Sequence, residues 1–120
     1  MILACQNIEK SFDGVTILKN VNLSIEDGEI VSILGSSGSG KTTLLNIILG
    51  ITNCDSGSLI FNNKDITAVP MEERGFNIVF QDYALFSNLN AYRNITYGLR
   101  NKPDISSEAE VNDLIRLLGL

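Results

Sequence analysis

Gly35-Ser36-Ser37-Gly38-Ser39-Gly40-Lys41-Thr42-Thr43 satisfies G-x-x-x-x-G-K-[ST] at every position. Glycines let such a loop wrap backbone N–H groups around an anionic phosphate chain. Lys41 is placed to reach the outer phosphates, and the Thr42 hydroxyl to ligate Mg²⁺. The flanks fit. Glu29-Ile30-Val31-Ser32-Ile33-Leu34 reads as a buried strand, and Thr43-Leu44-Leu45-Asn46-Ile47-Ile48-Leu49 as an apolar helix closed by Gly50. That helix would turn its positive N-terminus toward the phosphates. A Gly/Ser linker that happens to contain Lys-Thr would account for the loop, but not for the strand and helix on either side.

Outward from the loop, the chain of 120 residues suits one small domain with a real core. Apolar residues make up 44 % and charged residues 19 %, a globular balance. The net charge of −5 carries no basic run, so no nucleic-acid groove is expected. There is no histidine, which excludes an imidazole base within this chain. Cys5 and Cys54 are far apart in sequence with no C-x-x-C, so two reduced thiols are expected rather than a metal site. The start Met1-Ile2-Leu3-Ala4-Cys5 lacks the basic and long apolar regions of a signal peptide, and no apolar run is long enough to span a bilayer. A soluble, cytoplasmic chain is the expectation.

Met1–Ile8 reads as a first strand. Asp13-Gly14 is a hairpin signal before Val15–Leu18, and Val21–Ile25 alternates as a half-buried strand. After the loop and helix, Asp55–Ser58 reads as a turn, Leu59–Phe61 as a strand, Asn62-Asn63 as another turn and Phe76–Phe80 as a further strand. Asn90 is an N-cap candidate for a helix over Ala91–Leu99, broken by Lys102-Pro103. Ser107 and Glu110 form a capping box for a helix ending near Gly119. Val111, Leu114, Ile115 and Leu118 share one face of that helix, which needs something to bury against. The order predicts an antiparallel β-layer fused to an α/β core, followed by a helical piece.

Pro70-Met71-Glu72-Glu73-Arg74-Gly75-Phe76-Asn77-Ile78-Val79-Phe80-Gln81-Asp82-Tyr83-Ala84-Leu85-Phe86 is the second strong signal. With the phosphate loop, it makes the whole chain resemble the ATP-binding cassette of ABC transporters, nearest to importers of the polyamine, iron(III) and sugar groups. The resemblance implies an α/β fold. Its parts are a P-loop NTPase core, an N-terminal antiparallel β-subdomain and the start of a helical subdomain, a truncated cassette. Residues 1–90 would hold the core, the β-subdomain, the Walker A loop and the Q-loop, and residues 91–120 the beginning of the helical subdomain. It implies ATP and Mg²⁺, with Gly35, Ser36, Ser37, Gly38, Ser39, Gly40, Lys41, Thr42 and Thr43 holding the phosphates and Thr42 and Gln81 on the metal. Lys41 and Gln81 carry the catalytic roles. Gln81 heads the Q-loop, where its amide touches Mg²⁺ or the attacking water and links the site to the membrane subunit. A neutral amide can both engage and release a ligand. Phe12 falls where the family stacks an aromatic on adenine, and Phe serves there about as well as Tyr. Ile17 packs near the same ring. On residues alone, Phe12 would read as a core side chain beside its turn and Gln81 as an exposed turn residue.

The resemblance further implies transmembrane permease subunits contacted through the Q-loop region and a second ATPase subunit in a cassette dimer. It places the protein in the cytoplasm, peripheral on the inner face of the membrane. Transport-coupled ATP hydrolysis follows, with import implied by residues 70–99. Two positions depart from the family pattern, Ser87 where proline usually follows Leu-Phe and Arg93 where an acidic residue precedes Asn94. The family's signature, Walker B aspartate, catalytic glutamate and switch histidine are not among the 120 residues. This chain alone is therefore expected to bind ATP but hydrolyse little. Its phosphate-loop strand is expected to lack sheet neighbours and leave apolar surface exposed. The competing reading is a stand-alone P-loop GTPase or small-molecule kinase with Asp82 as the Walker B residue. Gln81 interrupting that strand end, the missing Asn-Lys-x-Asp and the hairpin-rich start speak against it. A short, non-catalytic ATP-binding module is a third reading.

Overall fold

The computed structural model describes residues 2–80, 85–101 and 106–120, in two compact units of residues 1–77 and 78–120. In the first, β1 (Leu3–Phe12) runs into β2 (Val15–Ile25) through Asp13-Gly14. Both turn residues have positive φ, 50° and 78°, as the tight hairpin predicted for this dipeptide requires. β3 (Ser56–Phe61) pairs antiparallel with the other edge of β1, and β4 (Lys64–Asp65) follows across Asn62-Asn63, giving the order β2-β1-β3-β4. The antiparallel β-layer expected at the start is thus present. β1 and β2 are longer than the sequence pattern suggested, and β3 begins at Ser56, inside the stretch read as a turn. Bulges between Cys5 and Ile8, and between Gln6 and Glu9, explain the imperfect alternation that concealed this.

α1 (Lys41–Leu49) packs on this sheet. Leu44 and Ile47 of α1 close the core with Cys5, Ile8, Leu18, Leu59 and Ile66. Ile8, at 0 % exposure, is its centre. Beside this cluster Phe61 and Phe76 meet edge-to-face with ring centroids 4.8 Å apart.

Two expected strands do not form. Residues 29–34 and 76–80 lie outside any sheet. A strand needs neighbouring backbones to satisfy its N–H and C=O groups, and no described strand pairs with either segment. Val31 and Ile33 are half-buried, whereas Ile30 and Leu34 are 95 % and 92 % exposed. A run apolar on both faces is the pattern of a parallel strand covered from both sides; only one side is covered here.

In the second unit, α2 (Ala91–Asn101) begins at Asn90, whose Oδ1 accepts from the Arg93 N–H at 2.8 Å, the cap that the sequence predicted. The Asn94 side chain accepts from the Phe86 N–H at 2.8 Å and donates to the carbonyls of Phe86, Leu89 and Asn90. It thereby ties the preceding loop to the helix, and the Phe86 and Tyr97 rings stack with centroids 4.4 Å apart. α3 (Glu108–Leu118) is capped by Ser107 Oγ, which accepts from the Glu110 N–H at 3.1 Å, and ends at Gly119, φ 74°. Its expected buried face is not covered: Val111 and Ile115 are half-buried, while Leu114 and Leu118 are exposed.

Candidate functional site

The loop between residue 34 and α1 is shaped by Gly40. Its φ of 92° is left-handed, and a Cβ there would stand 2.9 Å from Leu18 Cδ2. A side chain at this position would be strained and would collide with the core, so Gly40 starts α1 while lying against β2. The Ser39 N–H donates to the Ser36 carbonyl at 3.1 Å, folding the loop into a turn. The Lys41 ammonium donates back to the Gly35 carbonyl. Leu44 N–H bonds to the Gly40 carbonyl at 2.9 Å, so the amides before it have no helical acceptor of their own. The first turn of α1 carries no acidic side chain, which leaves its positive end for an external anion.

Beside this turn lies a cavity of about 460 Å³. Ser37, Gly38, Ser39 and Gly40 form its loop wall, Lys41, Thr42 and Thr43 its helical wall, and Phe12 and Ile17 its wall from the β1–β2 hairpin. Nine of the residues named from sequence are therefore brought together, although Phe12 and Ile17 belong to another element. Gly35 and Ser36 precede the cavity wall in the same loop. Gln81 and Asp82 lie outside the described residues. Among the described residues no group of three His, Cys, Asp or Glu could hold a metal by itself. Thr42 supplies one hard oxygen donor. Mg²⁺ commonly keeps waters and takes one or two protein oxygens plus substrate phosphates, so this sparse set fits a metal that arrives with a phosphorylated ligand.

Sequence reasoning missed the residues that hold the site in place. Arg74, 6 % exposed, sits at the far end of α1. Its Nη1 donates to the Ile47 and Ile48 carbonyls at 2.9 Å each, its Nε to Val69 O at 2.8 Å and its Nη2 to Thr67 O at 3.2 Å. A cation at the negative end of the helix complements its dipole. Burial draws the guanidinium pKa below its ordinary value, but the group stays charged at neutral pH. Gly50 makes the clamp possible: its φ is 92°, and a Cβ there would lie 3.0 Å from Arg74 Nε. Lys10 lies over the Phe12 ring and pairs with Asp55. No local motif marks either arrangement. The one available hint was a lone arginine within an otherwise strand-like and turn-like stretch.

Residues 18–120 match the family model of ABC transporters. The chain is similar to the spermidine/putrescine import ATP-binding protein PotA of Spiroplasma citri, 48 % identical over 99 % of this chain and 35 % of the relative. It is similar as well to the sulfate/thiosulfate import ATP-binding protein CysA of Neisseria meningitidis serogroup B, 41 % identical over 100 % of this chain and 35 % of that protein. Its length thus spans about a third of these curated relatives. Among solved structures, the dimeric bacterial ABC transporter cassette MJ0796 superposes with a TM-score of 0.76 at 34 % identity, over 93 % of this chain and 53 % of that one. A post-hydrolysis state of the same cassette, bound to ADP and Pi, gives 0.73 at 33 % identity over the same coverage.

Proposed function

Because this chain belongs to the ABC transporter family, we propose that it is the nucleotide-binding part of an ATPase that couples ATP binding and hydrolysis to solute transport. The fold supports this: it is the α/β P-loop core with its antiparallel β-subdomain, matched by ABC cassettes. The observation that carries the proposal is the convergence of Phe12 and Ile17 with residues 37–43 on one cavity. A mononucleotide needs an anion cradle and an apolar, stackable surface, and a lining that combines the loop and the start of α1 with Phe12 and Ile17 supports that reading.

In this reading Gly35–Gly40 and the first amides of α1 hold the phosphates, and the Lys41 ammonium leaves the Gly35 carbonyl for the outer phosphate oxygens. Thr42 and Gln81 would hold Mg²⁺, which supplies charge neutralisation between the phosphates. Phe12 and Ile17 take the adenine. Gln81 senses the bound nucleotide and, with the residues after it, meets the permease subunits on the inner face of the membrane. Residues 1–90 form the nucleotide-binding region, and residues 91–120 begin the helical one. A second cassette completes the hydrolytic site across a dimer, as the dimeric MJ0796 cassette supports. Import is favoured, since PotA and CysA are named as import proteins.

Titration with a fluorescent ATP analogue and Mg²⁺, beside Lys41→Ala, tests the reading. Saturable binding that the substitution abolishes is expected; no binding by a folded protein would overturn it. Asp82→Ala should leave metal-dependent binding intact. Its collapse would instead support the GTPase-like or kinase-like assignment of Asp82.

A further inference from the structure

β1 ends at Phe12, and a half-exposed ring at a strand end is free to change rotamer unless something holds it. Lys10 lies two residues earlier on the same strand. The Lys10 ammonium stands 5.1 Å from the centre of the Phe12 ring, within the range of cation–π attraction. That ammonium is itself anchored. It lies 3.3 Å from Oδ1 of Asp55, and the Lys10 side chain is only 15 % exposed.

Asp55 is bound to the end of β1 at three points. Its N–H donates to the Glu9 carbonyl at 2.8 Å. Its Oδ2 accepts from the Ser11 N–H at 2.8 Å, and its Oδ1 accepts from Lys10 Nζ. The residues on either side of Ser11 are thus the cation and the ring. Phe12 lines the cavity and Lys10 does not. An aromatic ring has two faces, and a cation resting on one leaves the other free for stacking.

We propose that Lys10 and Asp55 brace the Phe12 ring for stacking on the nucleobase, and are positioning residues for base recognition. The proposal rests on the reading of Phe12 as the base-stacking residue. It separates two contributions within one site: the loop and α1 hold the phosphates whatever base is attached, whereas the brace acts only through the base.

Calorimetric titration of the protein with Mg-ATP and, separately, with inorganic tripolyphosphate resolves them. Lys10→Met keeps the aliphatic stem and removes the charge. It is expected to weaken ATP about three- to fivefold and to leave tripolyphosphate unchanged. Lys10→Arg, still able to lie over the ring, is expected to restore ATP affinity. Asp55→Asn weakens ATP alone, in the same direction. In a Phe12→Ala background Lys10→Met is expected to have no further effect. A Lys10→Met protein that loses both ligands equally, or that binds ATP more tightly because the ammonium had blocked the ring, overturns the brace and leaves the phosphate site standing. Wild-type protein that binds neither ligand brings down the site reading and the brace together.

Discussion

Cys5 illustrates how much a single residue's environment decides. Its thiol is 2 % exposed against Ile8 and Leu59. Burial first, then the neighbouring Cys54, push its pKa from the ordinary 9.0 up to about 11. The folded pKa lies above the unfolded one, so the neutral thiol contributes stability fully below pH 9. That contribution is lost as the pH rises through 11. Denaturation midpoints are expected to fall between pH 9 and 11 in the wild type and to fall less in Cys5→Ala. Parallel curves would show that Cys5 does not drive the loss. Asp55 behaves oppositely. The Ser11 N–H first and Lys10 second hold its carboxyl below the ordinary carboxylate range. Its contacts persist from neutrality down through the unfolded carboxylate pKa and fail only in stronger acid. In the core itself, Ile8→Ala removes the most enclosed side chain and is expected to cost ~3 kcal/mol in chemical denaturation.

At the scale of elements, α1 matters most, because its first turn lines the cavity and its last is held by Arg74. Arg74→Met keeps a long apolar stem but leaves the carbonyls of Ile47, Ile48, Val69 and Thr67 without that donor. A destabilisation on the order of 3 kcal/mol is expected. A loss below half a kilocalorie would mean that water replaces the guanidinium easily. α3 is simpler. Ser107→Ala removes its N-cap acceptor and should cost about 1 kcal/mol of helix stability, read by circular dichroism on thermal melting. The Ser107 N-cap and Gly119 were legible because they are local chemistry, whereas the Arg74 clamp joins residues 26 and 27 positions apart and leaves no pattern.

Across the whole molecule, large apolar side chains lie exposed in both units. Ile30, Leu34 and Val79 are each more than four-fifths exposed, and Leu114, Leu117, Leu118 and Leu120 add an apolar surface around α3. Unpaired strand-forming segments and contiguous apolar surface promote association. The 120-residue chain is therefore expected to self-associate with concentration and to bind an apolar dye in sedimentation and fluorescence measurements. A monodisperse monomer with cooperative unfolding would contradict this. The described residues contain no helix long and apolar enough to cross a membrane.

The loop of residues 35–40 leading into a helix, the Asp13-Gly14 hairpin, the Asn90 and Ser107 caps and the Gly50 and Gly119 helix ends were all readable from sequence. Each depends on residues a few positions apart, whose backbone preferences and hydrogen bonds act locally. The strand character of residues 29–34 and 76–80 was equally plain as a pattern, but a strand exists only when other backbones lie beside it, and hydrophobic sequence cannot supply them. The placement of Phe12 and Ile17 on the wall of the loop's cavity, the Lys10–Asp55 brace and the Arg74 clamp were decided only in three dimensions. Each joins groups distant along the chain, and only the packing of α1 on the β1–β2–β3 sheet brings them within a few ångströms.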